Sequence, residues 1–295
     1  MHNITDQDFL KEVNLLGAVL GDIIGSVYEW NNIKTTKFPL FKNGCEPTDD
    51  SVMTIAVADG LMRAWGKGEE EIKKSIVSSM QYYGRKYPYA GYGGRFNAWL
   101  ASDDPQPYNS WGNGSGMRVS SVGWLFDDLA EVEHMAALTA EVTHNHTEGI
   151  KGAQAIATCV FLARTQSGKE NIKTHVESAY GYDISTPLDV IRPTYRFDVS
   201  CQGSVPQAIR AFLEGSSYEE CVRLAVSIGG DTDTIACMTG AIAEAYYGIP
   251  EEIKTEGLTY IDSFLQEKIG EFRTFSNALT NAFSKHPTTS TPASV

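Results

Sequence analysis

Apolar residues recur at the three- and four-residue spacing of amphipathic helices along most of the chain. No segment alternates apolar and polar residues with a period of two, and no pair of segments has the signature of a β-hairpin. Two segments rich in Gly, Pro, Asn or Ser, 87–121 and 182–206, are predicted to be irregular. The spacing predicts helices over 15–29, 48–65, 69–83, 128–142, 148–164, 205–213, 217–228, 234–247 and 251 to about 283.

These elements predict an all-α fold. We expect a single compact multi-helix domain over residues 1–286, followed by a disordered polar tail over 287–295. The first predicted helix carries Gly17, Gly21 and Gly25 at four-residue steps, which places them on one face. Because glycine is unfavourable inside a helix, this face indicates a neighbouring helix that approaches closely.

An acidic cluster precedes the helix predicted over 234–247. Asp231, Thr232, Asp233 and Thr234 place two carboxylates and two hydroxyls within four residues, directly after two glycines. A capped helix N-terminus is the simpler interpretation, but one such residue is enough for a cap. Four of them crowd negative charge together, which favours a bound cation. Their hard oxygen atoms suit Mg²⁺, Mn²⁺ or Ca²⁺ better than zinc.

A second cluster of the same kind, Thr48-Asp49-Asp50-Ser51, opens the helix predicted over 48–65. Pro47 makes the entry into this helix extended. Because each cluster begins a helix, the two N-termini can converge and share two cations although they are far apart in sequence. The pair predicts a metal site more strongly than either cluster alone.

The segment 87–121 is long for a loop without structure, and such loops are usually functional. Within it, Gly112-Asn113-Gly114-Ser115-Gly116-Met117-Arg118 could hold a diphosphate on backbone N–H groups. Taken alone, a flexible surface loop is the simpler interpretation, since neither the Walker nor the Rossmann pattern is present. Gly93 belongs to a weaker candidate of the same kind. His144 and His146 do not share a helix face, so a helical zinc pair is excluded, but one of them could bind a ligand.

The composition narrows the class of protein. The 295 residues carry a formal net charge of −13, with 42% hydrophobic and 21% charged residues. Without clustered Lys and Arg, we expect no nucleic-acid partner. The five cysteines form no C-x-x-C pair and indicate free thiols in a reducing compartment. With no signal peptide or membrane span recognised, we expect a cytoplasmic monomer. The lack of a Gly-x-Ser-x-Gly motif disfavours a nucleophilic hydrolase.

In combination, these motifs resemble the ADP-ribosylglycohydrolase family, which includes dinitrogenase-reductase-activating glycohydrolase and the ADP-ribosylhydrolases. The matching segments occur in the family's order and extend over about residues 17–248. Ser51 stands where many members have Thr, and it keeps the hydroxyl. The segments are Gly21-Asp22, Gly25-Ser26-Val27-Tyr28-Glu29, Thr48-Asp49-Asp50-Ser51, Gly112 to Arg118, Thr143-His144 and Gly229 to Ala236.

The resemblance implies a binuclear Mg²⁺ or Mn²⁺ centre that holds the distal ribose of ADP-ribose. Glu29 occupies the position of the family's glutamate, which acts near the anomeric carbon or gates the metals. By spacing alone, Glu29 would be interpreted as an ordinary solvated carboxylate. Carried over by motif, the metal ligands are Thr48, Asp49, Asp50, Asp231, Asp233 and Thr234, and the ADP-ribose-binding residues are Gly93, Asn113, Gly114, Ser115, Gly116, Met117 and His144.

The expected function is metal-dependent hydrolysis of the glycosidic bond between ADP-ribose and a modified protein side chain or small molecule. Because the family includes inactive crystallins, a non-catalytic ADP-ribose binder stays open, as does a metal phosphohydrolase that cleaves the diphosphate. The segments 30–41 and 87–111 are predicted to form the rim that selects the linkage. Asp103 and Asp104 are the next catalytic candidates after Glu29.

Overall fold

The computed structural model describes the backbone of residues 15–285 and the side chains of residues 15–279. Within that range the chain forms helices around one hydrophobic core, with a single isolated β-bridge and no strand. The prediction of an all-α, single-domain fold is confirmed. In chain order the helices are α1 (Leu16–Ser26), α2 (Asp49–Arg63), α3 (Glu69–Lys86), α4 (Gly94–Leu100), α5 (Gly114–Met117), α6 (Ser120–Leu125), α7 (Leu129–Glu141), α8 (Thr147–Arg164), α9 (Lys169–Tyr180), α10 (Leu188–Ile191), α11 (Cys201–Glu214), α12 (Tyr218–Ser227), α13 (Thr232–Tyr247), α14 (Glu251–Leu258) and α15 (Ser263–Lys285).

The predicted tail over 287–295 lies outside the described residues, as do residues 1–14 and residue 286, so the domain boundaries stay predictions. All five cysteines are buried and free, as their scattered spacing indicated. Between residues 15 and 285, no helix combines enough length with enough apolar character to cross a membrane.

Helix α13 lies at the centre of the fold. All of its residues from Thr232 to Ala245 are buried, and helices α1, α8, α11 and α12 pack around it. A helix without a polar face is stable only when other elements surround it. The acidic cluster lies at the N-terminus of this helix, so packing of the core holds Asp231 and Asp233 in place.

The glycine face of α1 packs directly against the backbone of α13, which confirms the predicted close approach. A Cβ atom added at Gly25 would lie 2.5 Å from the carbonyl oxygen of Thr232, and one added at Gly21 would lie 2.6 Å from the carbonyl carbon of Ala236. Real Cβ atoms do not approach backbone atoms so closely. Only glycine therefore allows α1 to reach α13, and this contact brings Asp22 of α1 beside the acidic N-terminus of α13.

We expect Gly21→Ala to destabilise the protein strongly, because the new methyl group meets backbone that has no rotamer with which to move away. Overpacking of a core usually lowers the free energy of unfolding by about 1–3 kcal/mol, and here we expect the upper end of that range. Gly270→Ala is the matched control, since nothing lies within 4 Å of its Cβ position in α15. That change should stabilise the helix by about 0.5–1 kcal/mol. Denaturant unfolding of both variants measures the difference, and equal effects would contradict the close contact.

Some helices were not predicted and others have different bounds from those predicted, and each difference has a local cause. Helix α9 buries only a thin stripe, Ile172, Val176 and Tyr180, in an otherwise polar sequence. Helix α11 begins inside the segment predicted to be irregular, because Ser200 Oγ accepts the N–H of Gly203 and caps it. The segment 87–121 contains helices α4, α5 and α6, which are too short for a clear periodicity. The helix predicted over 251–283 is interrupted before α15, where Asp262 accepts the N–H groups of Phe264 and Leu265.

Candidate active site

A cavity of about 480 Å³ opens where the N-termini of α2, α5 and α13 approach the turn that follows α1. Most of the site residues predicted from the motifs line this cavity. They are Glu29, Thr48, Asp49, Asp50, Gly93, Asn113, Gly114, Met117, His144, Asp231, Asp233 and Thr234. Motifs distributed over some two hundred residues of sequence thus meet in one place.

Asp22 organises the start of α2 and was not predicted as a site residue. Its carboxylate is fully buried and accepts hydrogen bonds from the backbone N–H of Thr48 (2.9 Å) and of Ser51 (3.0 Å). The hydroxyls of Thr48 and Ser51 donate to it as well. The available signal was a carboxylate in an otherwise apolar, glycine-rich helix. Asp22 fixes the backbone that carries Asp49 and Asp50.

The carboxylates of the two helix N-termini form two groups that share Asp233. Oxygen atoms of Asp22, Asp50 and Asp233 lie within 4.8 Å of one another, and so do those of Glu29, Asp231 and Asp233. Asp50 Oδ2 accepts a hydrogen bond from Thr234 at 3.2 Å, but its buried Oδ1 has no hydrogen-bond partner among the described residues. A buried carboxylate oxygen without a donor is costly unless a cation compensates it. These hard oxygen atoms fit a divalent cation such as Mg²⁺ or Mn²⁺.

The side-chain amide of Asn113 is engaged with the protein. Its Nδ2 donates to Asp231 Oδ2 at 2.6 Å and to Ser204 Oγ at 3.0 Å. The amide therefore orients a carboxylate of the acidic cluster, which leaves the neighbouring backbone as the part of this motif that faces the cavity.

Burial is the largest cause of raised pKa values at Asp22, Glu29, Asp49, Asp50 and Asp233. Burial and the nearby Asp22 and Asp231 raise the pKa of Asp49 to about 8. The pKa of Asp22 is raised to about 6 and that of Glu29 to about 7, with burial the largest cause in both cases. Burial and neighbouring carboxylates also raise the pKa of Asp50. Without a cation, these groups do not all ionise at neutral pH.

Glu29 lies in the turn after α1, which ends at Ser26 rather than at the predicted residue 29. Asn32 ties this turn to the acidic cluster, because its Nδ2 donates to the carbonyl oxygens of Glu29 (2.7 Å) and Gly230 (3.0 Å). Its Oδ1 accepts the N–H of Gly230 at 2.6 Å. Asn32 thus holds the backbone of Glu29 next to that of Asp231. A hydrogen bond from Trp30 favours the ionised form of Glu29 but is outweighed by burial.

A second cavity of about 510 Å³ adjoins the first, and Glu29, Trp30 and Thr48 belong to the walls of both. Trp30 is 82% exposed and stacks on Phe197 at 5.2 Å between ring centroids. Tyr89, which is 98% exposed, lines the second cavity. Glu29 therefore stands at the junction of two spaces, the outer of which is edged by exposed aromatic rings.

Some residues of the glycine-rich loop pack into the core, and others face the cavity. Ser115 Oγ donates to the carbonyl oxygen of Gly149 at 2.7 Å, and a Cβ atom at Gly116 would lie 3.1 Å from the sulfur of Met238. Neither residue lines the cavity, and the absence of a side chain at Gly116 allows close packing against Met238. Gly112 and Gly114 instead lie beside the ring of His144.

A sequence model of the ADP-ribosylglycohydrolase family matches residues 14–286. The chain belongs to the ADP-ribosylglycohydrolase family. Its resemblance to that family, carried by motifs in the expected order, is confirmed.

Proteins that are similar to this chain in sequence or in structure agree with the family assignment. The chain is 28% identical over 312 residues to ADP-ribosylhydrolase ARH3 of Gallus gallus, covering 79% of this chain and 84% of the relative. It is 23% identical over 266 residues to ADP-ribosylarginine hydrolase Tri1 of Pseudomonas putida, covering 80% and 70% of the two chains. A solved structure named ADP-ribosylglycohydrolase-related protein complex superposes with a TM-score of 0.66 at 22% identity, covering 94% of this chain and 99% of that one. This last similarity supports the fold.

The family motifs did not identify every residue that lines the cavity of this ADP-ribosylglycohydrolase family member. Tyr108, Phe197 and Val199 belong to its wall, as does Arg118, which belongs to the glycine-rich motif but was not predicted as a binding residue. They come from segments predicted to be irregular, where no periodicity shows which side chains turn inward. Asp103 and Asp104 are exposed and do not line the cavity, which argues against them as substitutes for Glu29.

Metal-free protein should become less stable as the pH rises from about 6.5 to 8. Asp49 and Glu29 have folded-state pKa values of about 8 and 7, above their ordinary values of 3.8 and 4.5. The folded state therefore holds more protons than the unfolded state in this window, and the free energy of unfolding falls as the pH rises. Buried His144 contributes the opposite slope only below about 6.5. Thermal melting in chelator measures the effect, and Mg²⁺ or Mn²⁺ should reduce it. A melting temperature that rises over this window would contradict the charge clustering.

Proposed function

We propose that this protein hydrolyses the glycosidic bond that joins ADP-ribose to a modified protein side chain or small molecule, with two divalent cations, Mg²⁺ or Mn²⁺, as cofactors. The observation that carries the proposal is the convergence of Glu29 with two carboxylate groups in a cavity that also contains Arg118 and His144. A ligand with ribose hydroxyls and a diphosphate matches both the carboxylates and the part of the wall formed by Arg118 and His144. The names of the relatives, ADP-ribosylhydrolase and ADP-ribosylarginine hydrolase, support the same reaction.

The carboxylate arrangement supports a pair of cations. The two groups share Asp233, which would then contribute to both positions. Asp50 and Asp22 complete one group, and Asp231 with Glu29 completes the other. When bound, the cations would supply positive charge that orients and polarises the hydroxyls of the distal ribose. The remaining predicted ligands, Thr48, Asp49 and Thr234, line the same cavity.

Glu29 is the group best placed for proton transfer. It is half-buried at the junction of the two cavities, within 4.8 Å of oxygen atoms of Asp231 and Asp233. Burial and the neighbouring Asp231 and Asp22 raise its pKa to about 7 in the metal-free protein. Bound cations would offset that negative charge and favour the ionised carboxylate, which can accept a proton. In this role it would assist water or the leaving group as the bond to the anomeric carbon breaks with oxocarbenium character. Coordination of a cation by Glu29 is the competing role.

The second cavity provides space for the leaving group. Because it meets the first cavity at Glu29, a bond cleaved beside Glu29 would release its two halves into different spaces. ADP-ribose would stay in the inner cavity, and the modified side chain would leave past Trp30 and Tyr89.

Product identification tests the proposal. The protein is incubated with peptides that carry ADP-ribose on arginine or on serine, in the presence of Mg²⁺, and the products are separated by chromatography and mass spectrometry. Release of ADP-ribose with an unmodified peptide is the expected result. Release of AMP would instead identify a phosphohydrolase that cleaves the diphosphate. Stoichiometric binding of ADP-ribose without any product would identify a non-catalytic binder.

A further inference from the structure

Arg118 places a buried positive charge in the wall of the inner cavity. Its side chain is 1% exposed, and it forms no salt bridge with any residue between 15 and 279. Its Nη2 donates a hydrogen bond to Thr143 Oγ1 at 2.7 Å, while the buried Nε has no hydrogen-bond partner in the described part of the chain. An arginine can only donate hydrogen bonds. Thr143 Oγ1 is therefore the acceptor in this contact.

The hydroxyl of Thr143 also meets the ring of His144, with Oγ1 and Nδ1 2.7 Å apart. Because Oγ1 accepts a hydrogen bond from Arg118, the hydroxyl hydrogen of Thr143 is free to be donated to another acceptor. No other acceptor for that hydrogen is found among the described residues, and a buried hydroxyl that cannot donate is costly. Every group is satisfied when Thr143 donates to Nδ1. Nδ1 then carries no proton, and the proton of the neutral ring is on Nε2.

The environment of His144 keeps its ring neutral. The residue is 4% exposed, and burial together with the positive charge of Arg118 holds the pKa of His144 well below its usual range. No carboxylate contacts the ring within the described part of the chain; its aromatic neighbour is Tyr108, 6.1 Å away between centroids. With Nδ1 engaged by Thr143, the ring offers the cavity a single polar atom, Nε2.

Nε2 is presented to the cavity next to the glycine-rich loop. Cβ atoms added at Gly112 and Gly114 would lie 3.5 and 3.3 Å from it, and Gly112, Gly114, Arg118 and His144 all line the cavity. The glycines leave this ring edge uncovered, since any side chain there would crowd it. Within residues 15–279, this corner thus contains a cation with no salt-bridge partner and an N–H with no acceptor. Both groups favour the binding of an anionic oxygen.

We propose that Arg118 and Thr143 are positioning residues that hold His144 as its neutral Nε2–H tautomer, so that His144 donates a hydrogen bond to an anionic phosphate oxygen of the ligand. The arrangement excludes His144 as a general base, because its one unprotonated nitrogen is occupied by Thr143. The identity of the ligand as ADP-ribose rests on the proposed function. The tautomer does not, since it is set in the ligand-free protein.

Nitrogen NMR of the imidazole rings tests the tautomer directly. In ¹⁵N-labelled protein without ligand, the signals of His144 are assigned by their loss in His144→Gln. We expect the pattern of a neutral ring protonated at Nε2 at neutral pH. A ring protonated at Nδ1, or at both nitrogens, overturns the proposal.

A matched pair of variants tests the role of the hydroxyl. Thr143→Ser keeps the donor and acceptor, and should retain both the tautomer and the wild-type affinity for ADP-ribose measured by calorimetry. Thr143→Val removes them, so the ring should populate both tautomers and the affinity should fall about 10- to 100-fold, as for a hydrogen bond to a charged group. A Thr143→Val protein with the wild-type tautomer and affinity would overturn the proposal. Wild-type protein that shows the Nε2–H ring yet does not bind ADP-ribose would support the tautomer and overturn the proposed function.

Discussion

Asp50→Asn should abolish turnover of an ADP-ribosylated substrate while making the metal-free protein more stable. The substitution removes a negative charge from a buried group in which Asp22 and Asp233 lie within 4.8 Å. Loss of a residue that only orients metal ligands typically costs about 10–100-fold in metal affinity or activity, and loss of a ligand should exceed that. At about pH 8, where repulsion among the carboxylates is strongest, the melting temperature without metal should rise. The stabilisation by Mg²⁺ or Mn²⁺ seen for wild-type protein should disappear.

The opposite signs of these effects separate a lost metal site from a damaged fold. Asp104→Asn is the matched control, because Asp104 is an exposed aspartate outside the cavity. It should leave turnover, melting temperature and the response to metal unchanged. Full turnover by Asp50→Asn, or by wild-type protein shown to contain no metal, would eliminate the binuclear interpretation.

Glu29→Gln should lower turnover by about 10²–10⁴-fold, the usual contribution of general acid–base assistance. Glutamine keeps the size of the side chain and its contact with Trp30, but it does not ionise. The backbone position of residue 29 is held by Asn32, whose bonds to the chain do not involve the carboxylate. Calorimetric affinity for ADP-ribose should therefore stay near that of wild-type protein. Steady-state kinetics and calorimetry on the same preparation measure both quantities.

Glu70→Gln is the control for Glu29→Gln, because Glu70 is an exposed glutamate that lines neither cavity. Its substitution should change neither rate nor affinity. If Glu29 instead binds a cation, Glu29→Gln should lower metal affinity together with the rate. Wild-type turnover in Glu29→Gln would remove this residue from the mechanism.

Helices that bury much of their surface, such as α2, α8 and α13, could be predicted because burial requires many apolar residues along the segment. Helix α9 could not, since its three buried residues do not distinguish it from a polar segment. The interruption before α15 depends on one capping aspartate, Asp262, which resembles any other exposed acid in sequence. Periodicity reports how much surface a helix buries, and it says little about short or thinly buried elements.

The carboxylate cluster of the candidate site was more predictable than the rest of the cavity wall. Asp49, Asp50, Asp231 and Asp233 form compact motifs whose chemistry is local. The role of Asp22 depends on where α2 begins in space, and that of Arg118 on a hydroxyl twenty-five residues away in sequence. For Asn113, the sequence motif indicated a role that the side chain does not have the freedom to perform. The motif indicated a ligand contact, but its amide is occupied by Asp231.

The glycine contact between α1 and α13 has a consequence for synthesis of the chain on the ribosome. The backbone N–H of Gly17 donates to Glu244, a partner 227 residues later in sequence. Contacts between distant segments form late, because a long intervening chain must first be brought to closure. Since α13 fills the centre of the fold, the emerging helix α1 lacks its main packing partner until α13 is made. Premature termination before α13 should therefore leave a chain that exposes apolar surface and becomes a client of chaperones and proteases.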